Sequence, residues 1–458
     1  MRVGGVMVLV LAAGCGGSHG GGVAGASGAT GASGVAGANG VAGASGANGV
    51  AGATGVAGAG ASGSPGSDAA AGTVSSMADS GADTADAPVT PPPQCAGRPA
   101  PPPHVFDISF VGGVPMNTMT DPHSALPSLA VTSDGEPFVA YDAGDSTQLA
   151  WRAAGGDGGS VWISVKVATG NAVATSTGSV ALTSKGEPRV VYYQGYQTGS
   201  LHYYQWTGNL NDQPHDEAIA DAKVADFFAL RLDSHDEPHV LVEGLAGVSR
   251  RESVIFYRRG AAGWTSRNAQ DGALDTGTNG RLSFAIDQAD NEAVLIESLQ
   301  GLELVHGSAT ATSYEPVPTG PVSPALRPGL AVDSLGGIHG VYLASLMGVY
   351  QLEGKPGGPW VNRQIDNTRR WNNTEPRLIS FARHTNGDLH LAYIAGYPPD
   401  PTTLVYGYSD GCQWTFQTVT SLASSPSIAV DAAGRPHIAF EDRMHAAVSY
   451  ARAEALTP

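Results

Sequence analysis

The stretch Ser133-Asp134-Gly135-Glu136-Pro137-Phe138-Val139-Ala140-Tyr141 returns as S-K-G-E-P-R-V-V-Y at 184–192, as S-H-D-E-P-H-V-L-V at 234–242 and as A-A-G-R-P-H-I-A-F at 432–440. Weaker copies end at Ile296, Tyr342 and Tyr393. The turn residue of each copy falls at Gly135, Gly186, Asp236, Asp290, Gly336, Gly387 and Gly434, so seven copies succeed one another at intervals of 46 to 54 residues. A repeat of that length is one supersecondary unit that buries its apolar faces against its neighbours.

Each unit reads as four strands. A short apolar run such as Ser128-Leu129-Ala130-Val131 or Ser427-Ile428-Ala429-Val430 precedes the turn, and a Val/Ala/Tyr run follows it. Neither alternates cleanly, as expected of strands covered on both faces. A third strand (Leu149–Arg152, Leu404–Gly407) leads through a Gly-rich turn to a fourth that opens near Trp162, Trp264, Trp360 or Trp414. No segment carries a helical period. The seventh unit ends after three strands (427–430, 436–440, 446–450), and the spare segment Val105–Phe110 supplies the fourth, joining the two ends of the domain. The expectation is an all-β, seven-bladed β-propeller whose N-terminal strand closes the last blade.

The chain has 458 residues with 24 Lys plus Arg against 41 Asp plus Glu, a net charge of −17, which excludes a phosphate-neutralising nucleic-acid binder. Residues 1–14 hold one charge, Arg2, and an apolar run from Val6 to Ala13 too short to span a bilayer, so they read as a signal peptide. Leu11-Ala12-Ala13-Gly14-Cys15 resembles the lipobox of bacterial lipoproteins, which implies lipidation of Cys15 and an extracytoplasmic, lipid-anchored protein of the outer membrane. An ordinary cleaved signal is the alternative. Glycine occupies every third position from Gly22 to Gly58, yet that run contains no Pro to preorganise a collagen helix, so 15–94 reads as a flexible tether ahead of the propeller domain, 95–458.

The repeated G-x-P-H-[VI]-A-[YF] phrase, the Trp hairpins and the leader together resemble bacterial secreted propellers of the sialidase-like, BNR-repeat kind over residues 104–453. The resemblance implies architecture. The chain has no Phe/Tyr-Arg-Ile-Pro phrase of sialidases, and Ser409-Asp410-Gly411 before Trp414 is its nearest trace of an Asp-box turn.

Four histidines share one column, His239, His339, His390 and His437, with Phe138, Arg189 and Ala293 in the other blades. Equivalent positions on different blades lie too far apart to converge on a metal at about 2.0 Å, so these rings are expected to bond neighbouring backbone, and no metal or other cofactor is expected. The Tyr/Phe column Tyr141, Tyr192, Tyr342, Tyr393 and Phe440 is expected to pack between blades.

Departures from the repeat point to function. The link between the fifth and sixth blades carries Arg369, Arg370 and Trp371, an aromatic plate beside guanidinium donors, suited to a sugar ring or a carboxylated saccharide. On the same face Asp442, His445 and His123 are weaker candidates, with Asp121, Glu243, Arg250, Arg251, Glu441 and Arg443 among the loop charges. The expected function is binding of a glycan or another cell-envelope ligand. A polysaccharide hydrolase or lyase on this face and a scaffold for a protein partner are the alternatives. The chain is expected to be a monomer that meets the membrane through its lipid alone and takes no nucleic acid. Cys95 and Cys412 are expected to form a disulfide across the closure, because the closing strand starts on the face that holds Cys412.

Overall fold

The computed structural model describes residues 100–454 apart from 114–125, 145, 155–159, 169–178, 195–198, 208–213, 220–223, 247–250, 275–281, 299–300, 309–310, 320–326, 345–347, 369–378 and 397–400. These residues form 28 strands in seven four-stranded antiparallel sheets. The first blade comprises β2 (Ser128–Val131), β3 (Pro137–Asp142), β4 (Thr147–Ala154) and β5 (Ser160–Lys166), each hydrogen-bonded to the next. The innermost strands of the others are β6 (Ser179–Leu182), β10 (Val224–Leu232), β14 (Leu282–Ile286), β18 (Arg327–Val332), β22 (Ile379–Arg383) and β26 (Ala423–Val430). Each meets the next around the ring, β26 meets β2, and together they enclose an axial channel of about 460 Å³. The chain is a seven-bladed β-propeller.

The seventh sheet has the order β1–β28–β27–β26, where β1 is Phe106–Gly113, β27 Pro436–Asp442 and β28 Ala447–Ala453. Thus the N-terminal strand closes the last blade. It pairs antiparallel with β28 from Phe106 opposite Ala453 to Gly113 opposite Ala447, with a bulge between Phe110 and Gly112. The preceding residues lie along the sixth blade: the His104 N–H donates to Gln417 Oε1 at 2.8 Å and Gln417 Nε2 donates to the His104 carbonyl at 2.6 Å.

Burial follows from the sheet's place in the ring. Second and third strands contact a neighbouring blade on both faces, so Val139, Ala140, Leu149, Val190, Leu241 and Leu391 are fully buried. Apolar clusters run from blade to blade, as where Val341 and Leu343 of the fifth, Leu391 and Tyr393 of the sixth and Ile438 of the seventh pack together. Burying each such side chain contributes about 1.5–3 kcal/mol.

Two side-chain columns stitch the inner ring. Serine stands four residues before the turn's cap in five blades, as Ser128, Ser179, Ser283, Ser380 and Ser427. The next blade donates a backbone N–H to Oγ in four cases: Val180 to Ser128 at 3.1 Å, Leu230 to Ser179 at 3.0 Å, Ile428 to Ser380 at 3.0 Å and, across the closure, Leu129 to Ser427 at 3.1 Å. The turns themselves form a second belt. Asp236 and Asp290 hold φ of 64° and 62° where other blades have Gly, and each carboxylate takes both N–H and O–H of the serine in the preceding blade's turn, Ser184 and Ser234. Those bonds offset the strain of a left-handed Asp.

Candidate functional site

The histidine column is structural, although its partners are not those expected. In β11 (Pro238–Ala246) His239 puts Nδ1 2.7 Å from Glu292 Oε1 of the next blade and Nε2 3.4 Å from Asp233 Oδ2. His339 and His437 each set Nε2 3.2 Å from an aspartate six residues earlier, Asp333 and Asp431. In place of neighbouring backbone, therefore, these three rings find carboxylates. The reason is local: that aspartate already caps the turn, Asp431 Oδ1 accepting the N–H of Ala433 and of Arg435 at 3.0 and 2.9 Å, and its second oxygen is left facing the ring. Burial pushes the Asp431 carboxyl up, but these bonds outweigh it and hold it below the usual range. Burial lowers His437 to about 4 despite Asp431, so at neutral pH the ring is uncharged, with Nε2–H donating to Asp431 and Nδ1 accepting from Tyr450. His390 receives Tyr406 Oη at 2.8 Å, has no partner at Nε2 among the described residues, and is lowered to about 3, first by desolvation and then by His104 and His384.

The tyrosine column is buried and bonded. Tyr192 Oη donates to Asp216 at 2.9 Å within its blade, Tyr342 Oη accepts from Asn362 at 2.7 Å, and Tyr393 reaches back to Asp366 of the fifth blade. The fourth-strand tryptophans also reach the preceding blade: Trp264 Nε1 donates to Glu217 at 3.2 Å, Trp414 to Gln351 at 2.7 Å, and Trp162 to Ser109 of the closing strand at 3.2 Å. The Asp-box trace folds as a turn, Asp410 Oδ1 accepting the Cys412 N–H at 3.0 Å.

Of the candidates on the link face, Asp442 and His445 come together. Asp442 Oδ1 accepts the N–H of Met444 and His445 at 3.0 and 3.2 Å, and Oδ2 lies 2.8 Å from His445 Nδ1 and 3.3 Å from Ser449 Oγ. The His445 side chain is 61% exposed, a single imidazole presented on a capped turn. Beside it Glu441 and Arg443 both bond Ser424 Oγ, at 2.8 and 3.1 Å, and Glu243 is buried in β11. Trp371, Arg369, Arg370, His123, Asp121, Arg250, Cys15 and Cys95 lie outside the described residues. Cys412 sits in the turn between β24 (Thr403–Ser409) and β25 (Trp414–Ser421).

A site the sequence reading passed over lies on the opposite face, between the fourth and fifth blades. The column that holds Phe, Arg or His in six blades holds Ala293 in the fourth. Next to it in the fifth blade stands Ile338, and the two, both buried in one apolar cluster, form part of the lining of a pocket of about 570 Å³. Asn291, Gln288, His306 and Ser334 line it with polar groups, Leu335 and Pro356 with apolar ones. Asn291 is oriented: its N–H and its Nδ2 both donate to the Asp287 carboxylate, at 2.8 and 2.9 Å, which turns the amide carbonyl away as an acceptor. Glu292 walls one side, fixed by His239 and by Arg267. Leu335 is 79% exposed. The signal was present in the sequence as a gap in a column. Its meaning depended on which residue of the next blade faced the gap.

No protein-family model matches the chain, and no curated protein matches it in sequence. Among solved structures it is similar to AofleA from Arthrobotrys oligospora, at 14% identity over 69% of this chain and 90% of that one, with a TM-score of 0.46. It is also similar to the six-bladed β-propeller lectin of Aleuria aurantia, at 14% identity over 65% and 96% with a TM-score of 0.46. A third is the NanB sialidase of Streptococcus pneumoniae, at 10% identity over 76% and 70% with a TM-score of 0.41. At these values the likenesses carry no argument about ligand or chemistry.

Proposed function

We propose that this chain is a lipid-tethered, extracytoplasmic propeller that binds carbohydrate, and that the pocket between the fourth and fifth blades takes a sugar unit. The observation that carries the reading is the Ala293 gap, because it leaves a concavity whose polar groups sit beside exposed apolar surface. A pyranose needs both: hydroxyls that exchange bonds with the Asn291 carbonyl, Gln288, His306 and Ser334, and an apolar ring face to lie against Leu335 and Pro356. The volume falls within the roughly 300–1,000 Å³ of small-molecule sites. The leader through Cys15 and the Gly-rich segment to residue 94 would hold such a module outside the cell, on the membrane but away from its surface. On the link face, Trp371 with Arg369 and Arg370 is proposed as a second contact for a longer glycan, with Asp442, His445 and His123 around it.

The test is a glycan array followed by calorimetry on Ala293→Phe. Phenylalanine stands at the same place in the first blade as Phe138, so the substitution places at the pocket a side chain that this column carries elsewhere. Glycan affinity should drop at least tenfold with the melting temperature retained; unchanged affinity would reject the pocket. Trp371→Ala probes the link face in the same assay, and losing an aromatic anchor there should cost about 2 kcal/mol. Turnover of a polysaccharide that disappears in His445→Ala would move the assignment to an enzyme.

A further inference from the structure

The axial channel holds one irregularity. Two residues before the turn's cap, six blades place alanine in the channel wall, at Ala130, Ala181, Ala285, Ala331, Ala382 and Ala429. The third blade places Arg231 there, and among the described residues lining the cavity it is the sole charged one. Its side chain is exposed to the channel while protein surrounds it on every side. Among the described residues one hydrogen bond holds it, from Nη1 to the Leu230 carbonyl at 2.8 Å. Desolvation lowers its pKa with no carboxylate offsetting the effect, yet a guanidinium keeps its proton at any physiological pH. The remaining described residues of the wall are neutral, among them Phe228, Phe284, Leu330, Phe381 and the serine column. Because Ser179 Oγ already accepts the Leu230 N–H, its own hydroxyl proton is left to donate.

A scaffold indifferent to this position would carry the alanine of the other six. A permanently charged group with four N–H donors uncommitted among the described residues, ringed by protein and facing no counter-charge there, is placed to take up an anion. We propose that Arg231 makes the axial channel a binding site for one small oxyanion, a carboxylate or a phosphate. The fork of the guanidinium meets two oxygens of such a group side by side, and the serine hydroxyls of the wall offer further donors to them. The channel's 460 Å³ admits a carboxylated monosaccharide as readily as a free ion. This site is separate from the inter-blade pocket and does not depend on it.

The experiment is calorimetry on the full chain at low ionic strength with glucuronate and with inorganic phosphate, glucose serving as the neutral control. One site per chain is expected for at least one anion, weakened by added salt, with the two competing if both bind. Glucuronate alone would identify a carboxylated sugar, phosphate alone a phosphate or phosphorylated ligand, and both a general oxyanion site. Arg231→Ala, which restores the residue of the other blades, should weaken binding at least tenfold and leave the melting temperature equal or higher. Should that variant fail to fold, Arg231→Gln keeps a donor for the Leu230 carbonyl without the charge and is expected to show the same loss. Absence of saturable binding of either anion to the wild type, or undiminished binding in the variant that folds, overturns the proposal. Ala293→Phe should leave anion binding untouched, so this site and the sugar pocket fail separately.

Discussion

Single residues in this propeller do their work across blade boundaries, and the serine column shows it most simply. Ser179→Ala leaves the Leu230 N–H without its acceptor in a buried strand, which should cost about 1–2 kcal/mol in urea unfolding. Ser283→Ala, for which no such bond is present among the described residues, provides the comparison and should cost less. The histidines set a pH dependence. His390 and His437 are neutral in the fold, at about 3 and about 4, against 6.5 in an unfolded chain. A lowered histidine pKa means the unfolded chain binds more protons below 6.5, so stability is intact above that pH and declines as pH falls towards the folded values. The loss by pH 5 is about 2 kcal/mol for each ring, measurable as a lower denaturant midpoint at pH 5 than at pH 7.5. The double variant His390→Gln, His437→Gln should flatten that slope. The column was plain in the sequence, but the Asp partners six residues upstream of His239, His339 and His437 were not, because only the closed turn brings residues that far apart face to face.

Strand order and register were largely legible, since turn residues and apolar runs recur in phase. β2 spans the four residues expected, and the closing strand was placed correctly. The ends were less legible: β26 begins at Ala423 rather than Ser427, through a bulge between Ser424 and Ser427 that no propensity signals. The closing strand is the element on which the ring depends. Trp162 reaches it through Ser109 and stacks edge-on against Tyr450 of β28 at 5.2 Å. Trp162→Ala should therefore destabilise by about 3 kcal/mol. Removal of residues 1–113 uncovers the outer edge of β28, and such a chain should associate through it, detectable as dimers and larger species in light scattering where the full chain is monodisperse.

For the whole molecule, sevenfold architecture came from counting repeats, while the pocket did not, because Ala293 meets Ile338 only once neighbouring blades are docked. Closure also sets the expectation for the cysteines. His104 lies beside the sixth blade, nine residues after Cys95, a span of at most about 32 Å. Mass spectrometry of the protein purified under oxidising conditions should find Cys95 joined to Cys412, and limited proteolysis should leave a resistant fragment beginning near residue 95. The N-terminal arm gives the closure a mechanical meaning. A molecule held by its N-terminal end and pulled through a bound ligand carries the load along residues 100–105 before it reaches β1. There the paired bonds of His104 with Gln417 act as a mooring on the sixth blade, so tension is shared with a neighbour before it can peel Phe106 from Ala453 and unlatch the ring.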